Sequence, residues 1–207
     1  MNLTLFIFLG VLIVAGGIAG GVMLRQVTAP PPVVVQSSRA VAAFTFTDHN
    51  GRVVHAEDYR GRWMLVLFGF TNCPDICPTS LSYAGNLLKA VGPLAEQLQV
   101  TFITVDPERD TAPALKEYLS NFDSRIVGLT GTPDQLAAAA KLFGVFYDQR
   151  LAGNEGSVGE PGYTMDHSTA LYIVGPDGRI LRAFALSRGA DTMTEEVRAI
   201  MTAKEKP

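Results

Sequence analysis

The longest apolar run lies at the start of the chain, where residues 3–24 carry no charged side chain. Wound as a helix at ~1.5 Å per residue, such a run reaches about 33 Å, enough to cross the hydrocarbon core of a bilayer. A cleaved signal peptide is the rival reading. Against it, Met1-Asn2 is not basic, the run is long, and the small-x-small triplet Val27-Thr28-Ala29 is followed by Pro30. The pattern predicts a membrane anchor over residues 1–25. Residues 26–42 contain three consecutive prolines, Pro30 to Pro32, and predict an extended tether.

Residues 43–207 read as one domain. Apolar and polar positions alternate over 44–48, Asn50-Gly51 marks a hairpin turn, and 52–55 continue as a second strand. The run WMLVLFGF at 63–70 is apolar nearly throughout, as in a strand covered on both faces. A helix is expected over 78–91, a buried strand over 100–105 and a short strand over 126–129. A second helix is expected over 111–122, with Asp110 as its N-cap and Pro113 in its first turn. A third, over 133–143, stops at Gly144. The glycine-rich stretch 153–162 reads as the exposed loop of a hairpin insertion. Strands over 169–174 and 180–186 flank the turn Gly175-Pro176-Asp177-Gly178, and a last helix covers 191–202. The order predicts an α/β, thioredoxin-like fold with an added N-terminal β-hairpin and a hairpin insertion, preceded by one transmembrane helix.

Charge narrows the function. The net charge is −3 and no Lys/Arg run occurs, so nucleic acid is not an expected partner. The two cysteines, Cys73 and Cys77, are the only ones in the chain, and each precedes a proline. Proline disfavours the α conformation in the residue before it, so the CPDIC segment is expected to curl. Pro78 suits the start of the following helix, which puts Cys77 near the N-cap, where the helix end lowers a thiol pKa.

Three readings of the pair compete. A structural disulfide closes too small a loop to stabilise much. A dithiol redox centre is compatible with the spacing. Two thiolates also favour Cu(I) or Zn(II), given at least one more ligand. Of the three histidines, His49 sits in a hairpin turn and reads as solvent-exposed, and His55 ends a strand and reads as structural. His167, in YTMDHS, precedes the strand at 169–174. In a thioredoxin-type sheet that segment faces the cysteine loop. Thioredoxin-like oxidoreductases carry a proline there; this chain carries a histidine. The expected metal site is therefore Cys73, Cys77 and His167.

FGFTNCPDICPTSL (68–81), FITVDPERDT (102–111), YLSNF (118–122) and YTMDHSTALYIVGPDGRI (163–180) together resemble the Sco/SenC family of copper-binding proteins. The resemblance covers about residues 43–203. It implies copper bound through Cys73, Cys77 and His167, and a Cys73–Cys77 disulfide as the empty, oxidised form. It also implies delivery of copper to the dinuclear copper site of cytochrome c oxidase, or reduction of that site's thiols. The implied partners are the oxidase subunit holding that site, and another copper chaperone or a thiol reductant. The implied location is the outer side of a bacterial inner membrane, with residues 1–25 as anchor. The alternatives are a membrane-anchored thiol–disulfide oxidoreductase and a redox or copper sensor. Asp75, Asp106, Met165 and Asp166 are expected to support the site from around the ligands, with Met165 or Asp166 as candidates for a fourth ligand position. An enzymatic activity, if any, would be thiol–disulfide reduction.

Overall fold

The structure, a computed structural model, describes residues 44–151 and 162–203. The expected anchor, the tether and most of the glycine-rich stretch lie outside these residues. Among the described residues, no helix is long and apolar enough to cross a membrane.

Seven strands form one mixed sheet. In chain order these are β1 (Thr45–Asp48), β2 (Val53–His55), β3 (Trp63–Gly69), β4 (Leu98–Thr104), β5 (Ile126–Thr130), β8 (Ala170–Val174) and β9 (Ile180–Ala185), in spatial order β2-β1-β5-β4-β3-β8-β9. Among the described residues, two further strands, β6 (Tyr147–Leu151) and β7 (Tyr163–His167), pair only with each other. The helices are α1 (Ile76–Ala90), α2 (Ala112–Leu119), α3 (Pro133–Phe143) and α4 (Ala190–Ala203). This is the expected thioredoxin-like arrangement, with the N-terminal hairpin β1–β2 added at the β5 edge through Thr47↔Thr130 and Asp48↔Leu129.

Every residue of β3 is buried, as its apolar run predicts for a strand covered on both faces. It pairs parallel with β4, from Trp63↔Leu98 to Gly69↔Thr104, and antiparallel with β8, from Met64↔Val174 to Leu67↔Leu171. Around these central strands the core holds Phe46, Phe102, Phe184, Leu65 and Ile103, none more than 1 % exposed. Burial on this scale is the main stabilising term for a domain of this size.

Helix ends follow local chemistry. Thr132 caps α3 by accepting from Gln135 N, while the Gln135 side chain returns to the Thr132 amide. Gly144 ends it in the left-handed conformation at φ 71°. At α2 the sequence expectation fails. Thr111, not Asp110, is the N-cap, accepting from Ala114 N. Asp110 turns inward and is fully buried. Helix α1 starts at Ile76 rather than at 78, so Cys77 and Pro78 lie in its first turn, where an amide needs no intrahelical partner.

His49 also departs from its expected exposure. It is half-buried, and its Nδ1 accepts from Gly128 N at 2.9 Å, tying the β1–β2 turn to β5. Burial holds its pKa below the usual histidine value. Protonation removes the acceptor, so the bond stabilises the fold above about pH 6.5 and is lost as pH falls through the lowered folded pKa. The expected outcome is that His49→Ala costs about 1 kcal/mol at pH 7.5. That gap narrows towards zero as urea denaturation is repeated at lower pH.

Candidate metal centre

Antiparallel pairing of β3 with β8 puts the end of one strand beside the start of the other. The cysteine loop leaves the end of β3, and His167 lies three residues before β8 begins. The two segments therefore meet at one edge of the sheet, where α/β folds place their chemistry. The ligand-type atoms of Cys73, Cys77 and His167 lie within 4.8 Å of one another. Among the described residues this is the only group of three or more His, Cys, Asp or Glu so disposed. His167 Nε2 is 3.5 Å from Cys77 Sγ. Both thiols are free.

Close approach makes the arrangement possible. Cys73 N donates to Phe70 O at 3.3 Å and curls the loop back. Cys77 N then donates to Cys73 Sγ at 3.4 Å, so the first sulfur sits over the exposed amides at the start of α1. Gly69 leaves the room. A Cβ there would stand 2.8 Å from Cys77 Sγ and 2.7 Å from a ring carbon of Phe102. An isolated glycine in an apolar strand is a sequence signal for such an approach.

The charge falls on Cys73, contrary to the sequence expectation for Cys77. A hydrogen bond from the Cys77 thiol holds the Cys73 pKa down at about 4, helped by His167 and by the amides of Cys77 and Asp75. Hydrogen bonding to Cys73 and burial push the Cys77 thiol up. The dipole argument fails for Cys77 because its thiol donates to Cys73 and is buried, whereas the Cys73 sulfur is the one that accepts an amide at the start of the helix.

The imidazole is aimed by neighbours that the sequence did not mark. His167 Nδ1 lies 3.0 Å from Ser168 O, which leaves Nε2 for the sulfurs. The edge of Phe70 meets the ring at 5.8 Å between centroids and 86° between planes.

The four expected supporting residues separate. Asp75 is exposed and reaches Cys73 through its backbone amide. Asp166 faces away from the sulfurs. Alternation along β7 turns its side chain away, and it pairs with Arg150 at 2.5 Å. Met165 lines a cavity of about 200 Å³ together with Asp106 and Tyr163. Asp106, 3 % exposed, accepts from Tyr163 Oη at 2.7 Å and from Arg109 Nε. Asp110 was missed as a supporting residue. It accepts from Thr71 N (3.0 Å), Thr71 Oγ1 (2.5 Å) and Thr104 Oγ1 (2.6 Å), fastening the root of the cysteine loop to β4. Burial raises its pKa.

The fold and site define a thioredoxin-like domain with two thiols and one imidazole grouped at the sheet edge. The SCO1/SenC family model matches residues 34–202, and the chain belongs to this family. It is 40 % identical over 162 residues to the mitochondrial SCO2 homologue of Bos taurus, covering 77 % of this chain and 59 % of that one. It thus spans less than two thirds of that relative's length. Bradyrhizobium japonicum ScoI with copper bound is 36 % identical, with a TM-score of 0.66 over 75 % of this chain and 95 % of that one. BsSco, described as a Sco-family cytochrome c oxidase assembly protein with a disulfide switch, is 26 % identical. Its TM-score is 0.61, over 83 % of this chain and 96 % of that one.

Gly69→Ala tests the close approach. It is expected to destabilise the fold by about 1–3 kcal/mol and to weaken Cu(I) binding by displacing Cys77 Sγ. Chemical denaturation and competition with a Cu(I) chelator measure the two effects.

Proposed function

We propose that this chain is a copper chaperone that holds copper on Cys73, Cys77 and His167 and delivers it during cytochrome c oxidase assembly to the dinuclear copper site. The convergence of two sulfurs and one imidazole from segments ninety residues apart carries this reading. Two soft sulfurs with one nitrogen suit Cu(I). The copper-bound ScoI and the oxidase-assembly role of BsSco support it by kinship.

The chemistry follows from the depth of each donor. Cys73, with a pKa of about 4, offers a thiolate at neutral pH. Cys77 gives up its proton as copper binds, so loading releases a proton and weakens in acid. Cys77 is the buried anchor, while Cys73 and half-buried His167 form the rim. A partner's thiolate can replace the rim donors first and Cys77 last. When an external disulfide oxidises the empty pair, the Cys73–Cys77 disulfide forms, the Cys77 proton is released, and the two electrons pass to that disulfide, which leaves as two thiols. A thiol reductant returns the electrons. Residues 1–25 are proposed as the anchor and 26–42 as the tether, with the domain of residues 43–207 on the extracytoplasmic side of the membrane.

A second reading draws on the uneven thiols. A Cys73 thiolate beside a protonated Cys77 is the pattern of a dithiol reductant. Cys73 would attack a target disulfide and Cys77 would resolve the mixed disulfide, leaving the target with two thiols.

His167 separates the readings. In the full-length protein, Cys73→Ala and Cys77→Ala are expected to abolish tight Cu(I) binding. His167→Ala is expected to lower the affinity at least 10-fold, as loss of a ligand must exceed loss of a residue that orients one, and to abolish metallation of the isolated copper-site subunit. Thiol exchange with a model disulfide should survive. Full copper affinity and delivery in His167→Ala would contradict the chaperone reading.

A further inference from the structure

Among the described residues, His167 belongs to a part of the molecule with few attachments. Strands β6 and β7 pair with each other, from Tyr147↔His167 to Leu151↔Tyr163, and with no strand of the main sheet. This arm joins the body through residues 144–146 on one side and 168–169 on the other. Tyr147 and Met165 touch the margin of the core. Beside them a cavity of about 200 Å³, walled by Val105, Pro133 and Leu136 on the body side, interrupts the packing. Apolar contact therefore fixes the arm only in part.

A polar fastening completes the attachment at the end of β7 away from the imidazole. Tyr163 Oη donates to Asp106 Oδ1 at 2.7 Å. Arg109 Nη1 donates to Tyr163 O at 2.9 Å, and the guanidinium carbon lies 3.9 Å from the centre of the Tyr163 ring. Arg109 Nε donates to Asp106, so one aspartate holds both partners. Asp106 is itself fixed, because its amide donates to Thr104 Oγ1 at 2.9 Å. The clasp thus joins β7 to the loop after β4, which ends at the same sheet edge as the cysteine loop.

We propose that Tyr163, clasped by Asp106 and Arg109, is a positioning residue for His167. It sets the tilt of the β6–β7 arm and so the reach of the imidazole to the two sulfurs. This inference rests on the copper-binding reading. Tyr163, Met165 and His167 share one face of β7, and the two ends of that face are about 13 Å apart at ~3.3 Å per residue. With the clasp made, all three donors converge. With it broken, the arm turns about its two connections and copper is left on the sulfurs alone. The clasp therefore favours retention, and a partner that loosens it favours release.

The test uses the full-length protein and Cu(I), with affinity read by chelator competition. Tyr163→Phe keeps the ring under Arg109 and removes only the hydroxyl. It is expected to lower affinity about 10-fold, the range found when a residue that orients a ligand is lost. In a His167→Ala background the same change is expected to have no effect, since the clasp acts through the imidazole. Equal losses in both backgrounds, or no loss in the wild-type background, overturn the proposal while leaving the copper reading intact. An unchanged affinity in His167→Ala alone overturns the copper reading and the proposal with it. Hydrogen exchange of the metal-free protein checks the cause. Tyr163→Phe and Asp106→Asn should both speed exchange at 147–151 and 163–167 and leave β3 and β4 protected. Unchanged exchange in the arm contradicts the clasp.

Discussion

Antiparallel pairing between β3 and β8 is the constraint on which the site depends. A soft ion needs its donors close together before it arrives, because the chain cannot spend much conformational entropy gathering them afterwards. Cys73 and Cys77 follow the end of β3, and His167 precedes the start of β8. Since these strands run in opposite directions side by side, from Met64↔Val174 to Leu67↔Leu171, the two segments must share an edge. The parallel pairing of β3 with β4 brings Asp106 and Asp110 to the same edge. Burial of all seven β3 residues makes the central strand a rigid reference for both.

On that frame, small local features divide the labour between the sulfurs. Gly69 admits Cys77 into the core margin, and the start of α1 offers its amides to Cys73. One thiol is left deep and protonated, the other shallower and ionised. Such a pair suits handing over an ion, since the buried donor holds while the outer donors exchange. It also suits dithiol chemistry, which explains how one pair of cysteines supports both readings. The imidazole distinguishes them, and its support is of a different kind: His167 sits on a two-stranded arm instead of in the main sheet, and its ring is held by the Ser168 carbonyl and the Phe70 ring.

Much of this was legible in the sequence where burial and local chemistry agree. The apolar run of β3 announced a doubly covered strand, and Pro133 and Gly144 bracketed α3. His167 stood out because it occupies a place opposite the cysteine loop. Other features depended on which way a side chain turns. Asp110 and Thr111 are adjacent and both can cap a helix; only the tertiary contacts of Asp110 with Thr71 and Thr104 decide that Thr111 does so. His49 reads as a turn residue until Gly128 arrives from a strand 79 positions away. Asp166 was expected beside the ligands, but strand alternation sends its side chain to Arg150. The clasp of Tyr163, Asp106 and Arg109 joins residues over 50 positions apart and leaves no periodic trace. The thiol pKa values depend first on which sulfur donates to the other and then on burial, which spacing alone does not encode.

X-ray absorption at the copper edge of the full-length protein, loaded with one equivalent of Cu(I), tests the central claim most directly. The account predicts two sulfur donors and one imidazole nitrogen, with the outer-shell scattering of an ordered ring that vanishes in His167→Ala. A shell of sulfur alone, unchanged by that substitution, would contradict it.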